Sequence, residues 1–148
     1  MTVPISGKEI ARQIEKKFPQ GIIESSPQAL VVDSKSLLEI AAYLKNTRGL
    51  DFDYLAAITA VDYLDYFEVI YQLTSLKHNH SLVVKTRCYG RESPSLPSVV
   101  GLWRGADFQE REIYDLFGII FEGHPNLRRI VLWDGFEGHP LRKDYLRW

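Results

Sequence analysis

The chain has 148 residues, 45% hydrophobic and 25% charged, and a formal net charge of -1 from 18 Lys+Arg against 19 Asp+Glu. That length and balance fit one folded domain with a sizeable core, and exclude a disordered chain or a basic surface drawn to nucleic acid or anionic lipid. With Cys88 as the single cysteine, the chain alone builds no disulfide framework, zinc ribbon or cysteine-ligated cluster, which suits a reducing, cytoplasmic setting.

Ser6 followed by Glu9 makes a capping box, and Ile10, Ile14 and Phe18 recur at helical spacing until Pro19, so the first element is an amphipathic helix. The apolar runs 21–24 and 29–32, split by Ser25-Ser26-Pro27, read as two strands joined by a turn. Asp33 or Ser34 then caps a second helix with the stripe Leu37, Ile40, Ala41 and Leu44, stopped by Gly49. Residues 54–61 are apolar on both alternating faces and read as a central strand. Phe67, Val69, Tyr71 and Leu73 alternate with more polar neighbours, as in a half-buried strand. The turn Lys77-His78-Asn79-His80, its histidines expected in solvent, leads to Leu82, Val84, Thr86 and Cys88, a strand expected to pair antiparallel with the one before. Residues 90–98 carry the Pro, Ser and Gly of a loop.

This order predicts an α+β domain: a mixed β-sheet with helices packed on one face, followed by an irregular C-terminal extension. Residues 1–97 are expected to form the core, and 98–148 a motif-bearing helix and an extended tail within the same single domain. No apolar run approaches bilayer-spanning length, and Met1-Thr2-Val3-Pro4 lacks the features of a signal peptide, so a membrane role is expected only through other chains.

The last third carries the motifs. It reads ADFQEREIYDLFGIIFEGHPNLRRI from Ala106 and ends in GFEGHPLRKDYLRW. Asp107 and Glu110 read as a capping box for a helix over 108–117, with Gly118 as its stop. Glu112 and Asp115 lie three apart on one helical face, where like charges repel, so cations are expected opposite them. Arg111 can reach Asp115 four residues on, a pair worth about 0.2–0.5 kcal/mol on an isolated helix. Its planar fork is expected to serve two carboxylates as a hub, with Arg128, Arg129, Arg142 and Lys143 supplying the remaining cations between helix and tail. The tail also repeats itself: Glu122-Gly123-His124-Pro125 precedes Leu127-Arg128-Arg129, and Glu137-Gly138-His139-Pro140 precedes Leu141-Arg142-Lys143. Gly and Pro make each copy a tight, rigid turn. Residues 135–148 follow no helix or strand period and are expected to form an assembly surface rather than part of the domain's own core.

Charge spacing alone suits a capped helix with internal ion pairs better than carboxylates paired for acid–base catalysis, since no nucleophile motif accompanies them. His124 and His139 lack the spacing that preorganises zinc and are expected to hydrogen-bond a carbonyl or carboxylate. Trp103, Trp133, Trp148 and Tyr145 suit anchors on a partner surface; Trp103 fits a core equally, and Trp133 and Trp148, in the irregular tail, fit an interface better. A stand-alone metal-dependent hydrolase lacks support from any GxSxG, HExxH, phosphate-loop or dinucleotide motif. A nucleic-acid module using Arg128, Arg129, Arg142, Lys143 and Arg147 is weak, because residues 103–148 hold seven Lys+Arg against eight Asp+Glu.

The run EREIYDLFGI, followed by GHP, LRRI and GHPLRKDY, resembles the signature of the thirty-kilodalton subunit family of respiratory complex I, the C-type subunit of bacteria and the J-type subunit of plastid-type enzymes. The match is dense over 98–145, and DFDYLAAITAVDY within 50–63 is similar to the family's strand entering the sheet; the N-terminal third adds nothing specific. Phe108 stands where many members carry Trp, and the sequence ends just after the KDY segment, where longer members continue. The resemblance implies a non-catalytic, peripheral-arm subunit of a proton-translocating NADH:quinone oxidoreductase, with no flavin, iron–sulfur cluster or metal of its own. Its partners would be the forty-nine-kilodalton-type subunit near the quinone site and neighbouring cluster-bearing subunits. NADH and quinone would be substrates of the whole complex, on the cytoplasmic side of the energy-converting membrane. The alternative is the equivalent subunit of a membrane-bound hydrogenase or of another quinone or methanophenazine reductase. On this reading Glu110, Arg111, Glu112, Tyr114, Asp115, His124, Arg128, Arg129, His139, Arg142, Lys143 and Asp144 shape a subunit interface, and none is catalytic, cofactor-binding or metal-ligating.

Overall fold

The computed structural model describes residues 2–145. In chain order the elements are β1 (Val3–Pro4), α1 (Gly7–Ile14), β2 (Ile22–Ser25), β3 (Leu30–Val32), a 3-10 turn (Ser34–Ser36), α2 (Leu37–Asn46), β4 (Tyr54–Asp62), β5 (Phe67–Ser75), β6 (His80–Cys88), β7 (Ser95–Pro97), α3 (Ala106–Phe117) and β8 (Ile120–Glu122). The Ser6 hydroxyl accepts from Lys8 N–H at 3.2 Å and starts α1. Asp33 does the same for Lys35 N–H at 3.0 Å, so the second helix is reached through a capped 3-10 turn.

The main sheet runs β2-β3-β6-β5-β4, with β1 beside β6. The β3–β6 and β1–β6 pairs are parallel and the rest antiparallel, so the sheet is mixed. The β5–β6 register sets Phe67 against Cys88, Val69 against Thr86, Tyr71 against Val84 and Leu73 against Leu82, which turns every second residue of both strands to one face. Ile10 and Ile14 of α1, Leu37, Ile40 and Leu44 of α2, and Ile113 and Phe117 of α3 share one core cluster with that face. Each such side chain contributes about 1.5–3 kcal/mol on burial. The fold is therefore the expected α+β arrangement with its helices on one face.

Four local expectations are corrected. Strand β4 is an edge strand, not a central one. Periodicity reports burial, and α3 packed along β4 covers it as a neighbouring strand would, with Gln109 Oε1 accepting Ile58 N–H at 2.7 Å. The loop expected at 90–98 contains β7, which pairs in parallel with β8; three residues are too few to show a period. Helix α3 follows Gly105 with no side-chain cap, Asp107 already lies in its first turn, and Glu110 faces the interior. His78 is half-buried, with Nε2 at 2.7 Å from Asp51 Oδ2 and its ring stacked on that of His80.

Candidate assembly interface

Helix α3 presents its motif residues in two directions. Glu110 turns inward to the start of the helix's own scaffold: Oε1 accepts from the Ser98 hydroxyl at 2.5 Å, and Oε2 accepts Val99 N–H at 2.9 Å. Burial pushes its carboxyl above the usual range, against these hydrogen bonds. Glu112 points to solvent and joins no ion pair among the described residues, so the expected repulsion with Asp115 does not arise.

Asp115, fully buried, grips the tail. Its Oδ2 accepts N–H groups from Ile130 at 3.1 Å and from Val131 and Leu132 at 2.8 Å, while Oδ1 accepts from Arg129 Nη1 at 2.6 Å. Burial pushes the Asp115 carboxyl up, but the backbone donors and Arg129 outweigh it and hold it below its ordinary range. One turn earlier, Arg111 donates from Nε to Arg128 C=O at 3.2 Å and from Nη2 to Arg129 C=O at 3.4 Å, with its guanidinium 5.5 Å from the Phe108 ring. Arg111 therefore pairs with no carboxylate among the described residues, and its expected role as a hub between acids is corrected. An exposed i,i+4 ion pair is weak, whereas the folded chain offers Asp115 four better donors. Together, positions 111 and 115 supply donors and an acceptor to 128–132, the service a strand partner would give. The backbone is fixed, yet Val131 and Trp133 are 59% and 69% exposed.

The two repeated turns close over α3 at separate points. His124 accepts Asn126 N–H at Nδ1, which leaves the proton on Nε2; that nitrogen lies 3.2 Å from Asp107 C=O, its aligned acceptor, and 3.0 Å from Asp107 Oδ1. His139 donates from Nδ1 to Asp115 C=O at 2.9 Å, its ring 6.4 Å from that of Tyr114, and burial lowers its pKa. These carbonyls are eight residues apart, about 12 Å along the helix. Gly118 ends α3 at φ +77°, and a Cβ there would lie 2.6 Å from the His139 ring, so both backbone and space require glycine.

Further along, Leu141 N–H donates to Leu116 C=O at 3.0 Å, and Arg142 donates to Phe117 C=O at 2.5 Å and Arg91 C=O at 2.9 Å. Arg142 thus binds carbonyls rather than the acids expected, its charge 5.1 Å from the Phe67 ring. Burial lowers its pKa. Lys143 contributes its backbone N–H, at 2.9 Å from Asp62 Oδ2, and Asp144 Oδ1 lies 3.2 Å from Arg91 Nη2. Arg128 is exposed and takes part through its carbonyl. Trp133 stacks edge-on with Phe136, which Arg129 covers at 5.6 Å. Trp103 is core, its indole N–H bonded to Phe52 C=O at 3.0 Å; Trp148 and Arg147 lie outside the described residues.

Sequence reasoning missed Asp62, Arg91 and Ser98. Arg91 donates to both Asp62 oxygens, at 2.8 and 2.6 Å, and holds that carboxyl well below the usual range. The available signal was an acid closing the apolar run of β4.

The model for the family described as "Respiratory-chain NADH dehydrogenase, 30 Kd subunit" matches residues 30–147. The chain belongs to this family. It is 44% identical over 120 residues to the second C-type subunit of the NADH-quinone oxidoreductase of Rhizobium meliloti, covering 79% of this chain and 65% of that protein. It is 47% identical over 141 residues to the C-type subunit of the same enzyme from Chloroherpeton thalassium, covering 90% and 58%. The chain thus spans less than two thirds of the length of these curated relatives. Among solved structures it superposes, with TM-score 0.75 and 27% identity, on a chain of the membrane-bound sulfane sulfur reductase, an archaeal respiratory membrane complex, over 94% of this chain and 85% of that one. As a member of this family, the chain carries its densest motif where α3 and the two GHP turns meet.

Proposed function

We propose that the chain is a non-catalytic peripheral-arm subunit of a proton-translocating NADH:quinone oxidoreductase, docked through α3 and the tail on a forty-nine-kilodalton-type subunit near the quinone site. The observation that carries this is the grip of Arg111 and Asp115 on 128–132. Two side chains are committed to immobilising a segment whose Val131, with the adjoining Trp133, stays exposed. Beyond what the grip contributes to the chain itself, ordering a segment whose apolar side chains stay exposed lowers the entropic cost of binding a partner.

NADH, flavin, quinone and the iron–sulfur clusters belong, on this reading, to neighbouring subunits. In support, Cys88 is buried and its thiol pKa is pushed up to about 12 by burial, which disfavours the thiolate that a metal needs. Among the described residues no group of three or more His, Cys, Asp or Glu gathers into a metal site, and no helix is long and apolar enough to cross a membrane. The chain sits peripherally on the cytoplasmic side, held by the complex. Trp133→Ala tests the reading: the exposed ring contributes nothing large to the fold, so far-UV circular dichroism stays unchanged. Recovery of the quinone-site partner with the tagged chain is expected to fall by about tenfold or more. Normal recovery would overturn the docking surface.

A further inference from the structure

The hairpin between β4 and β5 closes through a strained tip. Tyr63 N–H donates to Tyr66 C=O at 2.9 Å, and Asp65 N–H donates to Tyr63 C=O at 2.9 Å, so Leu64 is the centre of a three-residue turn. Its φ is +73°. That is the positive-φ form of the γ-turn, rare and strained, and a bulky branched residue is the wrong choice for it on local grounds. Both backbone polar groups of Leu64 are clamped. Its N–H donates to Asp62 Oδ1 at 2.8 Å, and its C=O accepts from Arg91 Nη1 at 3.1 Å, the same Arg91 that Asp62 locks from both oxygens.

The strain delivers a side chain to water. Leu64 is 53% exposed, with Tyr63 beside it on the tip and Tyr89, 64% exposed, beyond the end of β6. The rings of Tyr63, Tyr66 and Tyr89 follow one another at 5.4 and 5.6 Å, and Arg87 lies 4.9 Å over Tyr66. Glycine would make the same turn without strain, so a leucine here contributes little to the fold that a smaller residue could not.

We propose that Leu64, next to Tyr63 at the head of the ring row that runs through Tyr66 to Tyr89, is a knob that enters an apolar socket on a partner protein, the same subunit that receives the tail. This rests on the assembly reading. The continuity is physical: Asp62, which clamps Leu64, also accepts Lys143 N–H at 2.9 Å, and Arg91 also binds Asp144, so tip and tail share one set of supports. The socket's rim would carry hydrogen-bond acceptors for the tyrosine hydroxyls, as buried tyrosines require. A protein fits better than an anionic bilayer. The tip carries exposed Asp65, and the nearby cations Arg87 and Arg91 are already paired, with Glu24 and Glu68 and with Asp62 and Asp144.

The test compares wild type, Leu64→Gly, Tyr89→Ala and Trp133→Ala. Two readouts are taken: the melting temperature of the purified chain, and the fraction of chain incorporated into the complex isolated from detergent-solubilised membranes. Leu64→Gly is expected to raise the melting temperature by about 2–4 °C through relief of strain, while cutting incorporation by about tenfold. Tyr89→Ala is expected to leave the melting temperature unchanged and cut incorporation several-fold. If Leu64→Gly lowers the melting temperature, Leu64 serves the fold and the knob is overturned. If Leu64→Gly and Tyr89→Ala assemble like wild type while Trp133→Ala does not, the knob is overturned and the tail reading stands; normal assembly of Trp133→Ala overturns the tail reading instead. Binding of the purified chain to phosphatidylcholine–phosphatidylglycerol vesicles that is lost in Leu64→Gly would overturn the protein socket in favour of lipid.

Discussion

Replacing Asp115 by Asn keeps the side chain's shape and removes its charge. One oxygen remains to accept, so an amide NH2 must face either Arg129 or the N–H groups of Ile130, Val131 and Leu132. Both choices set donor against donor. Removing one partner from a buried, hydrogen-bonded ion pair costs about 3–5 kcal/mol. The loss falls first on the tail, because among the described residues 128–132 are held through the side chains of Arg111 and Asp115, and local opening is governed by local contacts. At about 1.4 kcal/mol per tenfold, exchange protection of the Ile130, Val131 and Leu132 amides should drop by about two to three and a half orders of magnitude. The amides of Val69 and Val84, inside the β5–β6 ladder, serve as controls and should be unaffected. Hydrogen exchange resolved by residue reads both sets. Unchanged protection at 130–132 would refute the idea that Asp115 holds the tail. The same grip has a pH signature. A carboxyl held below its ordinary range contributes stability that is complete above the unfolded value, about pH 4, and is lost as pH falls through the lower folded value. In wild type the three amides should stay protected at about pH 5 and open only in stronger acid.

Two further outcomes follow from the same geometry. Glu110 is held above its ordinary range by burial, so its contribution favours folding at low pH and is lost as pH rises through the folded value. Glu110→Gln should flatten this part of the stability profile, measured by urea unfolding between about pH 4 and 7; an unchanged profile would mean the carboxyl is not the group that titrates. Gly118→Ala should destabilise by about 1–3 kcal/mol, because it strains a φ of +77° and drives a Cβ toward His139. Thermal melting reads the loss, and an unchanged midpoint would show that the His139 turn is not packed there.

The elements most legible in the sequence were those whose period and burial agree. Phe67, Val69, Tyr71 and Leu73 alternate and face the core with Leu82 and Val84, and the stripe Leu37, Ile40, Ala41 and Leu44 lies on the buried side of α2. Failures came where burial arose from an unseen neighbour. Strand β4 read as central because α3 covers it, and β7 was invisible because its partner β8 is over twenty residues away. In the candidate interface, the sequence named Arg129 among the cations expected opposite the helix, and Arg129 does pair with Asp115, but it also gave that role to Arg111, which binds carbonyls instead. Spacing along a helix reveals Arg111, whereas the winning donors, Arg129 and three backbone N–H groups, come from a segment that only tertiary structure brings near. Arg111 and Arg142 spend their donors on carbonyls, an outcome charge counting does not anticipate. Asp62 and Arg91, joined across 29 residues, carried no local signal beyond an acid at a strand end.

The most direct test of the central claim is to isolate the tagged chain from native membranes in mild detergent and identify what comes with it. A forty-nine-kilodalton-type subunit and cluster-bearing subunits are expected in stoichiometric amounts, with a site-specific crosslink from position 133 landing on the former. A chain recovered alone, or a crosslink from position 133 that lands only within the chain itself, would contradict the assembly role.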